Sequence, residues 1–268
     1  MNKETKGRQV LLVEDVELNQ QLAKTLIESK GLDVDVVCNG LDAVMAVQRK
    51  RYALVFMDIH MPVMDGVQAT REIRSLKDPI AAATPIVALT ANSGPAEVSF
   101  YLHHGMNACV GKPIEEECLN AVLVKYTLVG VKPTPITDYR LPTTGDSQLP
   151  TTESSSSPLY NLEFLKQIGG GDEGFLRMMV QLFIDNMPLN IEALNTAINS
   201  QDWEATWKAA HKMKSTIDSM NIVSLKQVIR DIEISGKKLE NLHQIPVLRD
   251  KVVNVINACI EDLRKSCQ

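Results

Sequence analysis

The length, composition and charge of the chain exclude several classes of protein before any motif is considered. Its 268 residues suggest about two domains of roughly 150 residues each. A hydrophobic fraction of 44% is ordinary for a globular protein, and a net charge of −5 argues against a nucleic-acid-binding surface. The five scattered cysteines form no CxxC pair, and no stretch approaches the ~20 apolar residues of a membrane helix. We therefore expect a cytoplasmic protein or the cytosolic part of a longer one.

Residues 1–127 alternate short β-rich runs with amphipathic segments five times, which is typical of βα units in a parallel sheet. We place strands near 9–14, 33–38, 53–58, 85–90 and 107–110, and helices near 17–30, 40–50, 66–75, 95–104 and 114–126. The runs LLV, ALVFM and IVAL are wholly apolar, as central strands covered on both faces are. In such sheets, ligands bind at the carboxyl ends of the strands.

Residues 128–158 differ in composition from the chain on either side. Five prolines are interleaved with threonine and serine: Pro133, Pro135, Pro142, Pro150 and Pro158. Such a segment cannot bury enough apolar surface to offset its ordering entropy, so we predict a flexible linker. A flexible chain of these 31 residues has a root-mean-square span of about 31 Å. That reach allows the two flanking domains of one chain to meet.

Residues 159–268 show no strand pattern, and their apolar residues recur at helical spacing. We place helical segments near 161–168, 172–186, 188–200, 203–220 and 222–264, the last with breaks near Gly236 and before Pro246. Consecutive amphipathic helices joined by short turns are typical of an antiparallel bundle. The second half is therefore predicted to be an all-α, four-helix bundle.

Polar residues stand where four of the predicted strands end. Glu14 and Asp15 follow the first strand, Asp58 ends the third, Thr90 ends the fourth, and Lys112 follows the fifth. Each alone is more often a turn or cap residue, but together they favour one pocket at the edge of the sheet. Three carboxylates there repel one another unless a cation lies between them. Mg²⁺ fits best, because it takes hard oxygen ligands and leaves positions for water and phosphate.

The motifs VLLVEDVELNQ, LVFMDIHMPVMDG, PIVALTA and GKPI make residues 9–126 resemble a response-regulator receiver domain. The resemblance implies a flavodoxin-like α/β fold with a five-stranded parallel sheet in the order 2-1-3-4-5. It implies that Asp58 is the phosphoacceptor and that Thr90 and Lys112 bind the phosphoryl group.

The same resemblance implies the ligands of the metal and two further features of the chain. Glu14, Asp15 and Asp58 would hold Mg²⁺ together with the backbone carbonyl of His60. The Lys112–Pro113 peptide bond would be cis. Cys109 stands where the family usually has an aromatic that moves with the threonine, which argues against a large phosphorylation-driven change of surface. A reactive thiol is one interpretation of Cys109, and a small buried hydrophobic residue is the favoured one.

A second phosphate acceptor is predicted on a helix of the second half. A core-facing stripe recurs at spacings of three and four residues through Trp203, Thr206, Ala210, Met213, Ile217 and Met220. His211 lies one residue off this stripe, at a solvent-exposed edge that it shares with Lys214. An exposed imidazole is partly neutral and nucleophilic near neutral pH, and Lys214 can pair with a phosphate on it. A lone histidine on a helix is, however, more often a plain surface residue.

The segment AAHKMKSTIDSMN resembles the motif of the histidine phosphotransfer (HPt) domain, and FLKQIGGGDEGFLRMMVQLF resembles that family's first helices. The resemblance covers roughly residues 159–265. It implies that His211 is phosphorylated and that Lys214 is its electrostatic partner. Ser215 stands where glycine is usual, which predicts slower transfer without abolishing it. Asn221 also replaces a glycine, at a helix end where asparagine can adopt the left-handed conformation.

Together the resemblances suggest the C-terminal half of a hybrid sensor histidine kinase, here without an ATP-binding kinase core. The predicted function is a phosphorelay. An upstream histidine kinase would phosphorylate Asp58, the group would pass to His211, and a downstream response regulator would receive it. A docking adaptor that passes no phosphate is the alternative, and the joint presence of both acceptors with their lysines favours the relay. A phosphate hydrolase would need an acid where the chain has His60.

Overall fold

The structure of the chain, a computed structural model, describes residues 9–91, 94–127 and 158–266. The predicted linker lies outside these residues apart from its last position. The strands are β1 (Gln9–Val13), β2 (Asp33–Val37), β3 (Leu54–Asp58), β4 (Ile86–Thr90) and β5 (Ala108–Gly111). The helices of this half are α1 (Glu17–Glu28), α2 (Gly40–Arg49), α3 (Gly66–Arg74), α4 (Pro79–Ala82), α5 (Pro95–His103) and α6 (Glu116–Thr127).

The five strands form one parallel sheet in the order β2-β1-β3-β4-β5, which confirms the predicted fold class. The central strands β3 and β4 are buried along their whole length, as their apolar sequences require. Helices α1 and α6 cover one face, and α2, α3 and α5 cover the other. The register places Asp58 beside Leu89 and Thr90 beside Gly111, so the carboxyl ends of β3, β4 and β5 meet at one edge.

The short helix α4 was not predicted. Asp78 caps it by accepting hydrogen bonds from the backbone amides of Ile80 and Ala81, and Pro79 occupies its first turn. One helical turn of four residues has no room for a 3.6-residue repeat, so a periodicity argument cannot detect it.

The second half contains α7 (Glu163–Ile168), α8 (Glu173–Asn199), α9 (Trp203–Ser219), α10 (Val223–Lys238) and α11 (Ile245–Ser266), with a 3-10 turn at Leu242–Gln244. The four long helices bury a common apolar core, as predicted for a bundle. Asp202 caps α9 by accepting a hydrogen bond from the amide of Ala205. Asn221 has a φ of 48°, the left-handed conformation expected of it.

One predicted helix break is wrong, and the break predicted near Gly236 lies after Lys238. Helix α8 continues through Pro188, which removes one backbone hydrogen bond, because Met187 and Ile191 on either side are buried in the core. Helix α10 continues through Gly236 and ends instead before Leu239, whose φ is 59°. A Cβ at Gly236 would lie 3.2 Å from the Trp203 carbonyl oxygen, so the glycine permits close packing of α10 on α9.

The α/β domain and the bundle pack against each other through α1. Val16, Leu18 and Leu22 are buried in the same apolar cluster as the bundle core. Helix α1 contacts α7, α8 and α9, which places the carboxyl edge of the sheet over α9. Across residues 9–91, 94–127 and 158–266, no helix is both long and apolar enough to cross a membrane.

Candidate functional site

Three carboxylates converge at the carboxyl edge of the sheet. Glu14 and Asp15 follow β1, Asp58 ends β3, and their oxygens lie within 4.8 Å of one another. Burial raises the pKa of Glu14 to about 7, and the charge of Asp58 adds to this effect while Lys112 opposes it. Burial and the charge of Asp58 also raise the pKa of Asp15. The cluster therefore carries more negative charge than its surroundings stabilise.

Lys112 provides the positive charge in this cluster. Its Nζ donates to Glu14 Oε2 at 2.5 Å and pairs with Asp58 Oδ2 at 2.8 Å. Burial lowers the pKa of Lys112, but the charges of Asp58 and Glu14 outweigh burial and raise it above its usual value. The Lys112–Pro113 bond is cis, as predicted. The structure thus brings the four charged residues of the predicted aspartate site together.

Thr90 lies buried at the end of β4, with Tyr101 as its aromatic neighbour. The Tyr101 hydroxyl, from α5, is 3.4 Å from Thr90 Oγ1. Cys109 packs against the same apolar cluster as Tyr101, and burial raises the pKa of the Cys109 thiol to about 12. This pKa favours the interpretation of Cys109 as a small hydrophobic residue. Tyr101 was not predicted, because it approaches the threonine from α5 and not from β5.

Gly66 has a steric reason to be glycine. A Cβ at this position would lie 2.1 Å from the carbonyl oxygen of Asp58, far inside van der Waals contact. The Gly66 amide donates to the Ile59 carbonyl at 3.0 Å, which holds the start of α3 against the loop after β3. Gly66 therefore lets α3 begin directly against the backbone of Asp58.

The predicted stripe of α9 faces the bundle core, but the flank that carries His211 is not exposed. The side chains of His211 and Lys214 retain only 15% and 9% of their accessible surface. Helix α10 covers this flank with Glu233, and the α/β domain covers it from the other side. The expectation of an exposed histidine and lysine is wrong, because α9 alone does not reveal what packs on its edge.

Glu233 connects the histidine to the lysine. Its Oε1 is 2.5 Å from His211 Nδ1, and its Oε2 accepts from Lys214 Nζ at 2.6 Å. Burial raises the pKa of Glu233, but the hydrogen bonds from His211 and Lys214 outweigh burial and hold it at about 2. A carboxylate only accepts hydrogen bonds, so this contact assigns the imidazole proton to Nδ1 and leaves the lone pair on Nε2.

Both predicted acceptors line one cavity of about 780 Å³, together with Lys112 and Lys214. The His60 ring enters this cavity and lies 4.4 Å from the His211 ring, centroid to centroid. Burial lowers the pKa of His60 to about 4, and the neighbouring His211 lowers it further. Residues from both halves of the chain thus line one common cavity between the aspartate and histidine sites.

Two protein families match the chain, one in the α/β half and one in the helical half. Residues 10–124 match the family of the response regulator receiver domain, and residues 178–266 match the Hpt domain. The two-component response regulator ORR41 of Oryza sativa subsp. japonica is 40% identical over 124 residues, which is 44% of this chain and 94% of that protein.

Two longer relatives contain counterparts of both halves in one alignment. Sensor protein GacS of Pseudomonas syringae pv. syringae is 30% identical over 232 residues, covering 85% of this chain and 24% of that protein. Aerobic respiration control sensor protein ArcB of Escherichia coli K12 is 28% identical over 233 residues, covering 84% of this chain and 27% of that protein. The chain therefore spans about a quarter of the length of these relatives.

Among solved structures, the receiver domain of sensor histidine kinase PA1611 from Pseudomonas aeruginosa PAO1 is 36% identical to this chain. It covers 46% of this chain and 99% of its own, with a TM-score of 0.43, and it holds a magnesium ion in its active site cleft.

Proposed function

The chain belongs to the two-component phosphorelay proteins, as a receiver domain joined to an HPt domain, and from this premise we propose that it passes a phosphoryl group from Asp58 to His211. The observation that carries the proposal is the single cavity lined by both acceptors. In the full relay, an upstream histidine kinase supplies the group and the receiver domain of a downstream response regulator removes it. The docking adaptor is not favoured, because a protein that passes no phosphate does not require two acceptor residues in one cavity.

The carboxylate cluster fits a magnesium ion. Glu14, Asp15 and Asp58 offer hard oxygen ligands within 4.8 Å of one another, and one lysine does not balance their charge. We place the backbone carbonyl of His60 as a further ligand. Magnesium supplies positive charge to the phosphoryl oxygens when bound. Lys112 Nζ and the Thr90 hydroxyl would bind the phosphoryl group on Asp58.

Transfer begins when an oxygen of Asp58 takes the phosphoryl group from a phosphohistidine of the kinase. The P–N bond of the donor breaks and a P–O bond to Asp58 forms. In the second step, His211 Nε2 attacks the phosphorus, the P–O bond breaks, and Asp58 leaves as a carboxylate. The Nδ1 proton stays in place, so the product is a phosphorylated imidazolium whose charge is balanced by Glu233. Lys214 stabilises the transferring group by its charge.

The test uses the full chain with Mg²⁺ and acetyl phosphate as a small phosphodonor. Wild type should first gain a base-labile aspartyl phosphate and then an acid-labile phosphohistidine. His211→Gln should keep the first and lose the second, and it should fail to deliver phosphate to a cognate receiver. Lys214→Ala should slow delivery, whereas in an adaptor neither change would alter output. If His211 never becomes labelled while Asp58 does, the relay is wrong.

A mixing experiment tests transfer within one molecule. A His211→Gln chain can load phosphate only on Asp58, and an Asp58→Asn chain can accept it only on His211. At micromolar concentration, the mixture should form phosphohistidine more slowly than wild type, because its two sites must first meet by diffusion. Equal rates would rule out the intramolecular path.

A further inference from the structure

One side chain joins the two domains beside the carboxylate cluster. Asn19, on α1, donates from Nδ2 to Glu14 Oε1 at 3.0 Å and to Ser215 Oγ at 3.0 Å. Ser215 belongs to α9 and is the residue that replaces the usual glycine four positions after His211. The substitution therefore coincides with a polar contact across the domain interface.

The donors and acceptors at this contact are matched. The Asn19 amide has two hydrogens, one for Glu14 and one for Ser215. The Ser215 hydroxyl donates its own hydrogen to the Lys212 carbonyl at 3.3 Å, which leaves its oxygen free to accept from Asn19. If residue 215 were glycine or alanine, the second Asn19 hydrogen would lose its acceptor on the partner domain.

The contact is partly buried and continues to Asp58. Glu14, Asn19, Lys112 and Ser215 border a cavity of about 20 Å³, room for roughly one water molecule. Glu14 accepts a hydrogen bond from Asn19 on one carboxylate oxygen and from Lys112 on the other. Lys112 also forms an ion pair with Asp58. An unbroken series of polar contacts thus runs from Ser215 to Asp58.

The apolar part of the interface cannot distinguish one HPt domain from another. Val16, which precedes α1, and Leu18 and Leu22 within it are buried against the bundle. Apolar contacts of this kind fit any bundle with a similar hydrophobic surface. A hydrogen bond that needs an acceptor at one position distinguishes bundles by that position. The apolar face therefore provides general attraction, and the polar contact provides the means to discriminate.

We propose that Asn19 and Ser215 form a docking pair that makes the receiver domain prefer the HPt domain of its own chain over HPt domains with glycine at the position of Ser215. The inference rests on the proposed transfer from Asp58 to His211. It reverses the expectation from sequence that serine at this position slows transfer. Here the serine hydroxyl favours the docked arrangement in which both acceptors face one cavity.

The experiment is a double-mutant cycle in the full chain. Asp58 is loaded with acetyl phosphate and Mg²⁺, and the rate of phosphohistidine formation is measured after loading. Ser215→Ala and Ser215→Gly should each slow this rate about fivefold, the effect of losing one partly buried hydrogen bond. Asn19→Ala should slow it as well. The double variant Asn19→Ala/Ser215→Ala should be no slower than the slower single variant, because both changes remove the same contact.

Two control variants and two further readouts isolate docking. Ser200→Ala, which removes a hydroxyl bound to its own helix, should leave the rate unchanged. Asn186→Ala removes an exposed hydrogen bond of 3.4 Å to Glu17 across the same interface and should have the smaller effect. The rate of Asp58 loading and the melting temperature of Ser215→Ala should equal those of wild type. A general structural defect would change both.

The outcomes separate this inference from the proposed function. If wild type itself forms no phosphohistidine, the proposed function fails and takes the docking pair with it. If wild type transfers phosphate but Ser215→Ala is as fast or faster, only the docking pair fails. Additive effects of Asn19→Ala and Ser215→Ala, or an equal loss in Asn186→Ala, would also overturn it.

Discussion

The aspartate and histidine sites differ in their balance of acidic and basic side chains. At Asp58, three carboxylates share one lysine, whereas at His211 one carboxylate serves both the histidine and a lysine. The first site has more negative than positive side chains, so the proposed transfer would require a cation there. The second is balanced by its own side chains. Under the proposed function, the chain would contain one acceptor that depends on a metal and one that does not.

Two glutamates show this difference directly. Glu14 and Glu233 both bind a lysine in poorly hydrated surroundings, yet the pKa of Glu14 rises to about 7 and that of Glu233 falls to about 2. Glu14 is fully buried beside a second carboxylate, which opposes its ionisation. Glu233 accepts hydrogen bonds from His211 and Lys214, and both favour its ionised form. The number of neighbouring charges, and not burial alone, decides the protonation state.

The largest expected effect is on phosphate uptake. Asp58→Asn should abolish labelling by acetyl phosphate at both sites, because His211 receives its phosphate only through Asp58. His211→Gln should leave the base-labile label on Asp58 intact. Labelled protein treated separately with acid and base, then counted, distinguishes the two phosphates. Unchanged labelling of Asp58→Asn would contradict the proposal that Asp58 accepts the phosphoryl group first.

The metal should act on one site alone. Mg²⁺ at a hundred times its dissociation constant should stabilise the receiver domain by about 2.7 kcal/mol. The rise in melting temperature should disappear in Asp15→Ala, which removes one ligand of the cluster, and it should persist in Glu233→Gln. Calorimetry with Mg²⁺ and with EDTA provides the measurement. A rise of equal size in Asp15→Ala would place the cation elsewhere.

A smaller effect is expected from pH at the histidine site. The folded pKa of Glu233, about 2, lies below its ordinary value of 4.5, so its ionised form stabilises the bundle above that value. This stabilisation is lost as the pH falls from 4.5 towards 2. Glu233→Gln should remove this part of the pH dependence and cost about 1–3 kcal/mol at neutral pH.

Urea unfolding followed by tryptophan fluorescence measures this effect, because Trp203 and Trp207 both lie in α9. Glu204→Gln is the matched control. Glu204 pairs with Lys208 on the surface of the same helix, and its loss should cost less than about 0.5 kcal/mol. Equal costs for the two glutamates would contradict a special role for Glu233 in the charge balance.

The smallest effect concerns the uncharged neighbour of the aspartate site. Tyr101→Phe removes only the hydroxyl near Thr90, and the 3.4 Å contact is longer than an ordinary hydroxyl hydrogen bond. We expect a loss of about 0.5 kcal/mol or less in urea unfolding followed by circular dichroism. Tyr126→Phe, which removes a 3.2 Å hydrogen bond to the Asn107 carbonyl, should cost more. The reverse order would show that Tyr101 is a principal support of Thr90.

The sequence was sufficient for the sheet and for the aspartate site because their signals are local and repeated. Apolar strands that end in polar residues determine which side chains meet at the carboxyl edge. The continuation of α8 through Pro188 was not predictable, since buried neighbours override the cost of the proline. Glu233 and the contact of Asn19 with Ser215 were also missed. They depend on how two elements pack, which no spacing along the chain specifies.

The burial of α1 beneath the helix bundle lowers the apparent affinity of any other protein that binds this face of α1. Leu18 and Leu22 are covered, so a competitor for this face binds only the fraction of molecules in which the bundle has moved away. Its apparent dissociation constant equals the intrinsic constant divided by that fraction. If about 1% of molecules are open, a competitor binds about a hundredfold more weakly. The covered helix therefore weakens the binding of any protein that competes for this face.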